Sequence, residues 1–469
     1  MTPRRLPLLV LAAAGLAGMA GAAPEPAPLF QDHAVLQRDK AVPVWGRAEP
    51  GEHVVVSFAG QSVGATAGAD GRWIAVLAPL SADSEGADLT VAGRATVVIR
   101  DVVVGEVWLC AGQDNMLFPV DGGRGDRVEG ADLEVASARH PLIREFMVEE
   151  AASPVPVEAA LGDWTRCSPR TVGFFSAVGY FFARELQGRL GVPVGIIESC
   201  QAKTPLEAWM SPATLAEFPG IDTVRPAPGA TPASSGWLPG SVFNGMIDPL
   251  APYAIRGVLW YQGESDVGHA AAYGRHFPAL ITAWRSHFGQ ADLPFFWVQL
   301  AGYKPKAEPA GDSWALLREA QATALALPMT GQAVAIDIGD PGDLRPRQKQ
   351  EVGRRLALIA KAAVYGIPVD YSGPVFRDCE AEGAALRVRF RFAGDGLTAA
   401  DRPLQAFEVA GADRVFHPAK GVIQGESILL RSDAVRRPVA VRYAWSNDPG
   451  ANLYNGAGLP AAPFRSDTW

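Results

Sequence analysis

Cysteine is scarce. The 469-residue chain has four (Cys110, Cys167, Cys200 and Cys379), and their spacing matches no metal-binding pattern. In an oxidising compartment they allow one or two disulfides, with a pairing the spacing does not define. Positive charge is not in excess either: a formal net charge of −8 argues against nucleic acid and against an anionic membrane surface as partners. No GxSxG elbow, no phosphate-cradling glycine loop and no internal repeat occurs. Asp337, Asp340 and Asp343 lie close together, but oxygen-bearing side chains on adjacent turns are common in loops without a cation, so no metal and no cofactor are expected.

Long apolar runs are confined to the start. Arg4 and Arg5 precede an apolar stretch to about Ala20, and Ala20-Gly21-Ala22 follows as a small-residue cleavage pattern. The Ala/Gly-rich run and the immediate Pro24-Glu25-Pro26 favour a cleaved leader (residues 1–22) over a membrane anchor. No cysteine adjoins the cleavage pattern to carry a lipid. The expected address is periplasmic or secreted, with no membrane insertion after leader removal.

Three blocks follow. Residues 23–100 carry short β-type runs (42–45, 53–58, 96–99) separated by Pro50-Gly51 and Asp70-Gly71, which predicts an N-terminal β domain. Residues 101–372 alternate apolar runs with helical stretches, the pattern of a parallel α/β sheet. Ser176 caps a helix to Arg189, strands are expected at 192–197, 255–261, 295–300 and 333–338, and a helix follows Pro346 with Val352, Leu356 and Ile359 inward. Residues 373–469 return to alternation and predict a C-terminal β-sandwich. A Pro/Ala/Gly/Ser stretch at 225–240 reads as a loop over the site.

The chain is organised around residues 105–119, GEVWLCAGQDNMLFP, where a buried strand enters a glycine-containing turn. This stretch, together with QAKTPLEAW, WYQGESD, DIGDPGDLRP, the opening LFQDHAVLQRDKAVPVWGRAEPG and the ending RYAWSNDPGANLYNGAGLPAAPFRSD, resembles the bacterial sialate O-acetylesterases. These are carbohydrate esterases of the SGNH-hydrolase superfamily. The resemblance implies an SGNH-hydrolase-like (flavodoxin-like) three-layer α/β domain flanked by β-sandwich-type domains, and an oligosaccharide or polysaccharide ligand.

Carried over residue by residue, the match keeps Gly112, Gln113, Asn115 and Met116 but places Asp114 where the family has its nucleophilic serine. The oxyanion turn Gly-Gly-Thr appears as Ala202-Lys203-Thr204, followed by a matching Glu207-Ala208-Trp209. Trp260 to Ser265 are kept, including Gln262 and Glu264, but Asp266 replaces the oxyanion-hole asparagine. Arg345, two residues after Asp343, stands in the histidine's place. Ester hydrolysis by the family route needs a nucleophile, a base and donors aimed at the oxyanion. A carboxylate is a poor nucleophile and a guanidinium stays protonated, so that route is expected to be lost.

The leading expectation is therefore a glycoside hydrolase acting on neutral oligosaccharides or glucans through paired carboxyls, by inversion. Arg345 is expected to pair with Asp114 and keep it ionised as base or nucleophile; Asp266, crowded by Glu264, is expected to donate the proton. Two alternatives stand beside it: a catalytically inactive carbohydrate-binding pseudoenzyme, and a residual O-acetylesterase using a bound water. Glu264 is a third candidate catalytic carboxyl, although in such a turn it reads more readily as a buried structural acid anchoring neighbouring loops by hydrogen bonds. Gln113, Asn115, Lys203, Glu207, Trp209, Gln262 and Asp343 are expected to contact substrate, with Trp209 as the sugar platform and Trp108 and Trp260 in the core. Lys203 meets either a substrate hydroxyl or Asp114. His269 and His276 fall in a helix-like stretch and are expected to be solvated or capping.

Overall fold

The computed structural model describes residues 23–123, 125–221, 237–308 and 311–469. The leader read in residues 1–22 and most of the 225–240 stretch lie outside the described residues.

One strand, β1 (Thr96–Gly112), joins two parts of the fold. Its first half is antiparallel to Asp83–Ala92, with Val97 opposite Val91. Val35–Gln37 lies parallel to its middle. From Val102 onward every residue is buried, as a strand covered on both faces must be. There β1 enters a second pairing region made of β2 (Ile143–Val148), β3 (Gly162–Arg166), β4 (Val194–Cys200), β5 (Gly257–Tyr261), β6 (Phe295–Gln299) and β7 (Thr330–Val334). The order is β3-β2-β4-β1-β5-β6-β7, antiparallel only between β3 and β2. The sheet has no break at residue 100.

Four helices cover this sheet: α1 (Ala177–Leu190), α2 (Ala270–His287), α3 (Ser313–Ala322) and α4 (Lys349–Ala363). Helix α1 begins where Ser176 Oγ accepts the Gly179 N–H at 3.2 Å and ends at Gly191 in the left-handed region (φ 69°). It packs on α4, and Gly353 permits the approach: a Cβ there would stand 2.7 Å from the Phe182 nitrogen. The strand expected at 333–338 is instead Thr330–Val334. Beyond it the chain turns off the sheet, and the Asp337 carboxylate meets the Arg355 guanidinium at 2.6 and 2.8 Å.

The C-terminal part contains two four-stranded antiparallel sheets, besides a short pairing of Leu397–Thr398 with Tyr454–Asn455. One contains Val375–Glu382, Ala385–Arg391, Ser427–Arg431 and Lys420–Gln424; the other contains Phe416–Pro418, Phe407–Ala410, Ala440–Tyr443 and Phe464–Arg465. Leu386, Val388, Val409, Ile428 and Val441 form a core of their own between them. All four cysteines are free.

Candidate functional site

The C-terminal ends of β1, β4 and β5 converge, which is where open α/β sheets place their ligand sites. At the end of β1, Gly112 takes φ +142°, and a Cβ there would fall 2.1 Å from the Tyr261 carbonyl oxygen, so only glycine fits. Gln113 then donates its backbone N–H to that same carbonyl at 3.0 Å and starts the short helix Asp114–Leu117. The Gln113 side chain is buried, its Oε1 receiving the Gly263 N–H at 3.4 Å.

Asp114 is half-buried at the C-terminal end of β1. Its Oδ2 accepts the backbone N–H of Lys203 at 2.8 Å. Lys203 itself is exposed and sits at φ +59°, a left-handed conformation that costs a non-glycine residue on the order of 1 kcal/mol. The contact with Asp114 is made by the Lys203 backbone.

The other expected pairing does not form. Arg345 binds Asp126, Nη2 to Oδ1 at 2.9 Å, and lies over the Phe118 ring. Its backbone N–H goes to Asp343 Oδ1 at 2.9 Å. Asp126, a carboxylate outside the aligned motifs, captures the guanidinium.

Asp266 is buried, unlike Asp114. It is 3% exposed, and its carboxylate receives the Leu206 N–H (3.2 and 3.3 Å) and the Gln262 side-chain amide. Burial, and next the charge of Glu207, push it up to about 8. A raised carboxyl was expected, but crowding by Glu264 is a lesser cause, and the carboxyl is already engaged by Leu206 and Gln262. Gln262 is likewise internal: its amide also donates to the Thr204 carbonyl at 3.0 Å.

Glu264 lies against Asn115. Its Oε1 accepts from Asn115 Nδ2, while Oε2 is buried without a partner among the described residues. Burial raises it. Glu207 pairs with His276, Oε1 to Nδ1 at 2.9 Å; His276 is 4% exposed, neither solvated nor capping. Burial pushes Glu207 up, but the His276 bond wins and holds it low. Trp209, the expected platform, is fully buried. Its Nε1 donates to Thr204 Oγ1 at 2.9 Å and its ring meets Trp260 edge-on at 5.4 Å. Trp108 and Trp260 are core, as expected.

The residue missed is Lys349. It is fully buried, donates from Nζ to Asn115 Oδ1 at 2.5 Å, and stands over the Phe118 and Tyr261 rings. Burial lowers it to about 7. A signal existed: Lys349 is three residues before Val352, in phase with Leu356 and Ile359 on the inward face. Asn115 thus links Lys349 to Glu264 and also donates to the Leu344 carbonyl at 3.1 Å, tying the Asp114 turn to two neighbouring loops.

Comparison with known proteins decides the kinship. The family profile for carbohydrate esterases described as sialic acid-specific acetylesterases matches residues 104–361, more than half of the chain. The sialate O-acetylesterase of Homo sapiens is 30% identical over 92% of this chain and 90% of its own length. This chain belongs to the sialate O-acetylesterase family. The mouse (Mus musculus) sialate O-acetylesterase is 28% identical over 93% of each chain. The crystal structure of a carbohydrate acetylesterase from Xanthomonas citri superposes with a TM-score of 0.87 at 41% identity, covering 95% of this chain and 100% of that one. The family's relatives are esterases, which overturns the expectation of a glycoside hydrolase. Nor does the expected carboxyl arrangement form, since Arg345 pairs with Asp126 and Asp266 is buried beneath Leu206.

Proposed function

We propose that this member of the sialate O-acetylesterase family binds O-acetylated neutral carbohydrate at the Asp114 turn without forming the family's acyl-enzyme. The observation that carries the reading is the 2.8 Å bond from the Lys203 N–H to Asp114 Oδ2. An oxyanion hole works by presenting unengaged donors where negative charge develops. Here a resident carboxylate oxygen already holds the donor of that turn. Arg345 cannot act as a base, because a guanidinium keeps its proton. The half-buried Asp114 carboxylate disfavours anionic sugars and leaves neutral ones as the better ligands. Export through the residue 1–22 leader belongs to the same proposal.

A second reading, a residual O-acetylesterase in which Asp114 activates a water, is favoured by the 41% identity to a carbohydrate acetylesterase along nearly the whole chain. Calorimetric titration with an acetylated xylo-oligosaccharide, combined with an acetate assay on the same sample, separates the two. Binding heat without acetate supports the first. Acetate release that disappears in Asp114→Asn establishes the second.

A further inference from the structure

A cleft of about 380 Å³ lies between the edge of the parallel sheet and the C-terminal sandwich, away from the Asp114 turn. Gln299, at the end of β6, contributes to its lining and is 1% exposed. Its Nε2 is committed to the Arg318 carbonyl at 3.1 Å, which fixes the orientation of the amide, and its Oε1 has no partner among the described residues. A buried acceptor left in this state costs about 1–3 kcal/mol unless something donates to it.

The rim is made of aromatics held in place. Tyr371 and Phe392 are 38% and 43% exposed and meet edge to face at 5.5 Å. Phe392 lies at φ +59°, a conformation that is an outlier for a bulky residue. Buried Asn455 keeps it there: Nδ2 donates both to the Phe392 carbonyl (3.2 Å) and to the Ser372 carbonyl next to Tyr371 (3.0 Å). Strain of this sort persists where the surroundings over-determine it, and it clusters at ligand sites. Behind the rim, Phe376 and Phe464 stack at 4.5 Å. Arg391, exposed beside them, has no ion-pair partner among the described residues.

We propose that this cleft is a second carbohydrate site, which takes one neutral pyranose unit of an oligosaccharide chain. A pyranose has an apolar C–H face to lay on Tyr371 and Phe392, and hydroxyls at its edge. One hydroxyl donates to Gln299 Oε1, and Arg391 donates to oxygens on the solvent side. Mostly apolar walls with a few placed polar groups, at a boundary between domains, are the usual form of a small-ligand pocket. A charged sugar would have to strip its charge of water against those walls, which selects the neutral one.

The test titrates the full chain with cellohexaose and xylohexaose by calorimetry, comparing wild type with Phe392→Gly and Tyr371→Ala, and records melting temperatures. Phe392→Gly should keep or raise the melting temperature, since glycine adopts φ +59° freely, while weakening binding of at least one hexasaccharide tenfold or more. Tyr371→Ala should weaken it similarly. The proposal is overturned if neither hexasaccharide binds wild type, or if both variants bind as wild type does. It is also overturned if p-cresol occupies the cleft, its heat lost in Phe392→Gly, and cellohexaose does not compete with it.

Discussion

The backbone N–H of Lys203 and the carboxylate of Asp114 face each other at 2.8 Å, so the turn that would serve an incoming oxyanion is already occupied by a fixed one. Asparagine at position 114 keeps an acceptor oxygen for that N–H but removes the charge. Asp114→Asn should therefore fold with stability within about 1 kcal/mol of wild type and bind acetylated xylo-oligosaccharide no more weakly. Urea unfolding and calorimetry on the one variant check both parts.

Asp266 makes the protein's stability fall with rising pH. Its folded value of about 8 lies above the unfolded value near 4, so the folded state holds a proton that the unfolded state releases. The stabilisation is whole below about pH 4 and is lost as pH rises towards 8, by at most about 4 kcal/mol at pH 7. Asp266→Asn has no proton to hold and brings an N–H₂ near the unpartnered Gln262 Oε1. Its stability relative to wild type should grow steadily between pH 5 and 8, read from urea midpoints at each pH.

Lys349 has the opposite sign. Burial lowers it from 10.5 to about 7, so the folded state sheds a proton that the unfolded state keeps, and stability rises between pH 7 and 10.5. Lys349→Met abolishes that rise and the bond to Asn115. The variant should fall furthest behind wild type near pH 10, in thermal melts run from pH 7 upward.

Trp209 belongs to stability. Trp209→Ala empties a fully buried site between Thr204 and Trp260 and should cost about 3–5 kcal/mol. At temperatures where the variant is still folded, its affinity for acetylated oligosaccharide should match wild type. A selective loss of affinity would restore the platform role.

Much of this was readable in the chain. Ser176 as a cap, the buried runs that became β4, β5 and β6, and the inward face of α4 follow from period and punctuation, because those elements bury what their spacing presents. Position in a motif told less about side-chain partners. Arg345 and Asp114 belong to aligned blocks, yet Arg345 goes to Asp126 from a loop with no recognisable motif. Asp266 sits one residue from solvent-exposed Ser265, but the 3₁₀ turn Glu264–His269 rotates it inward under Leu206. Trp209 follows a loop and reads as accessible, whereas the second layer of aromatics closes over it. Such partnerships are set by three-dimensional neighbours that no local period encodes.

The most direct test of the central claim is acetate release from an acetylated xylo-oligosaccharide, measured for wild type, for Asp114→Asn and for the triple variant Asp114→Ser, Asp266→Asn, Arg345→His. Wild type and Asp114→Asn should bind without releasing acetate, and acetate should appear only in the triple variant, which brings a nucleophile and a titratable base back to the turn. Acetate released by wild type and abolished in Asp114→Asn would contradict the claim.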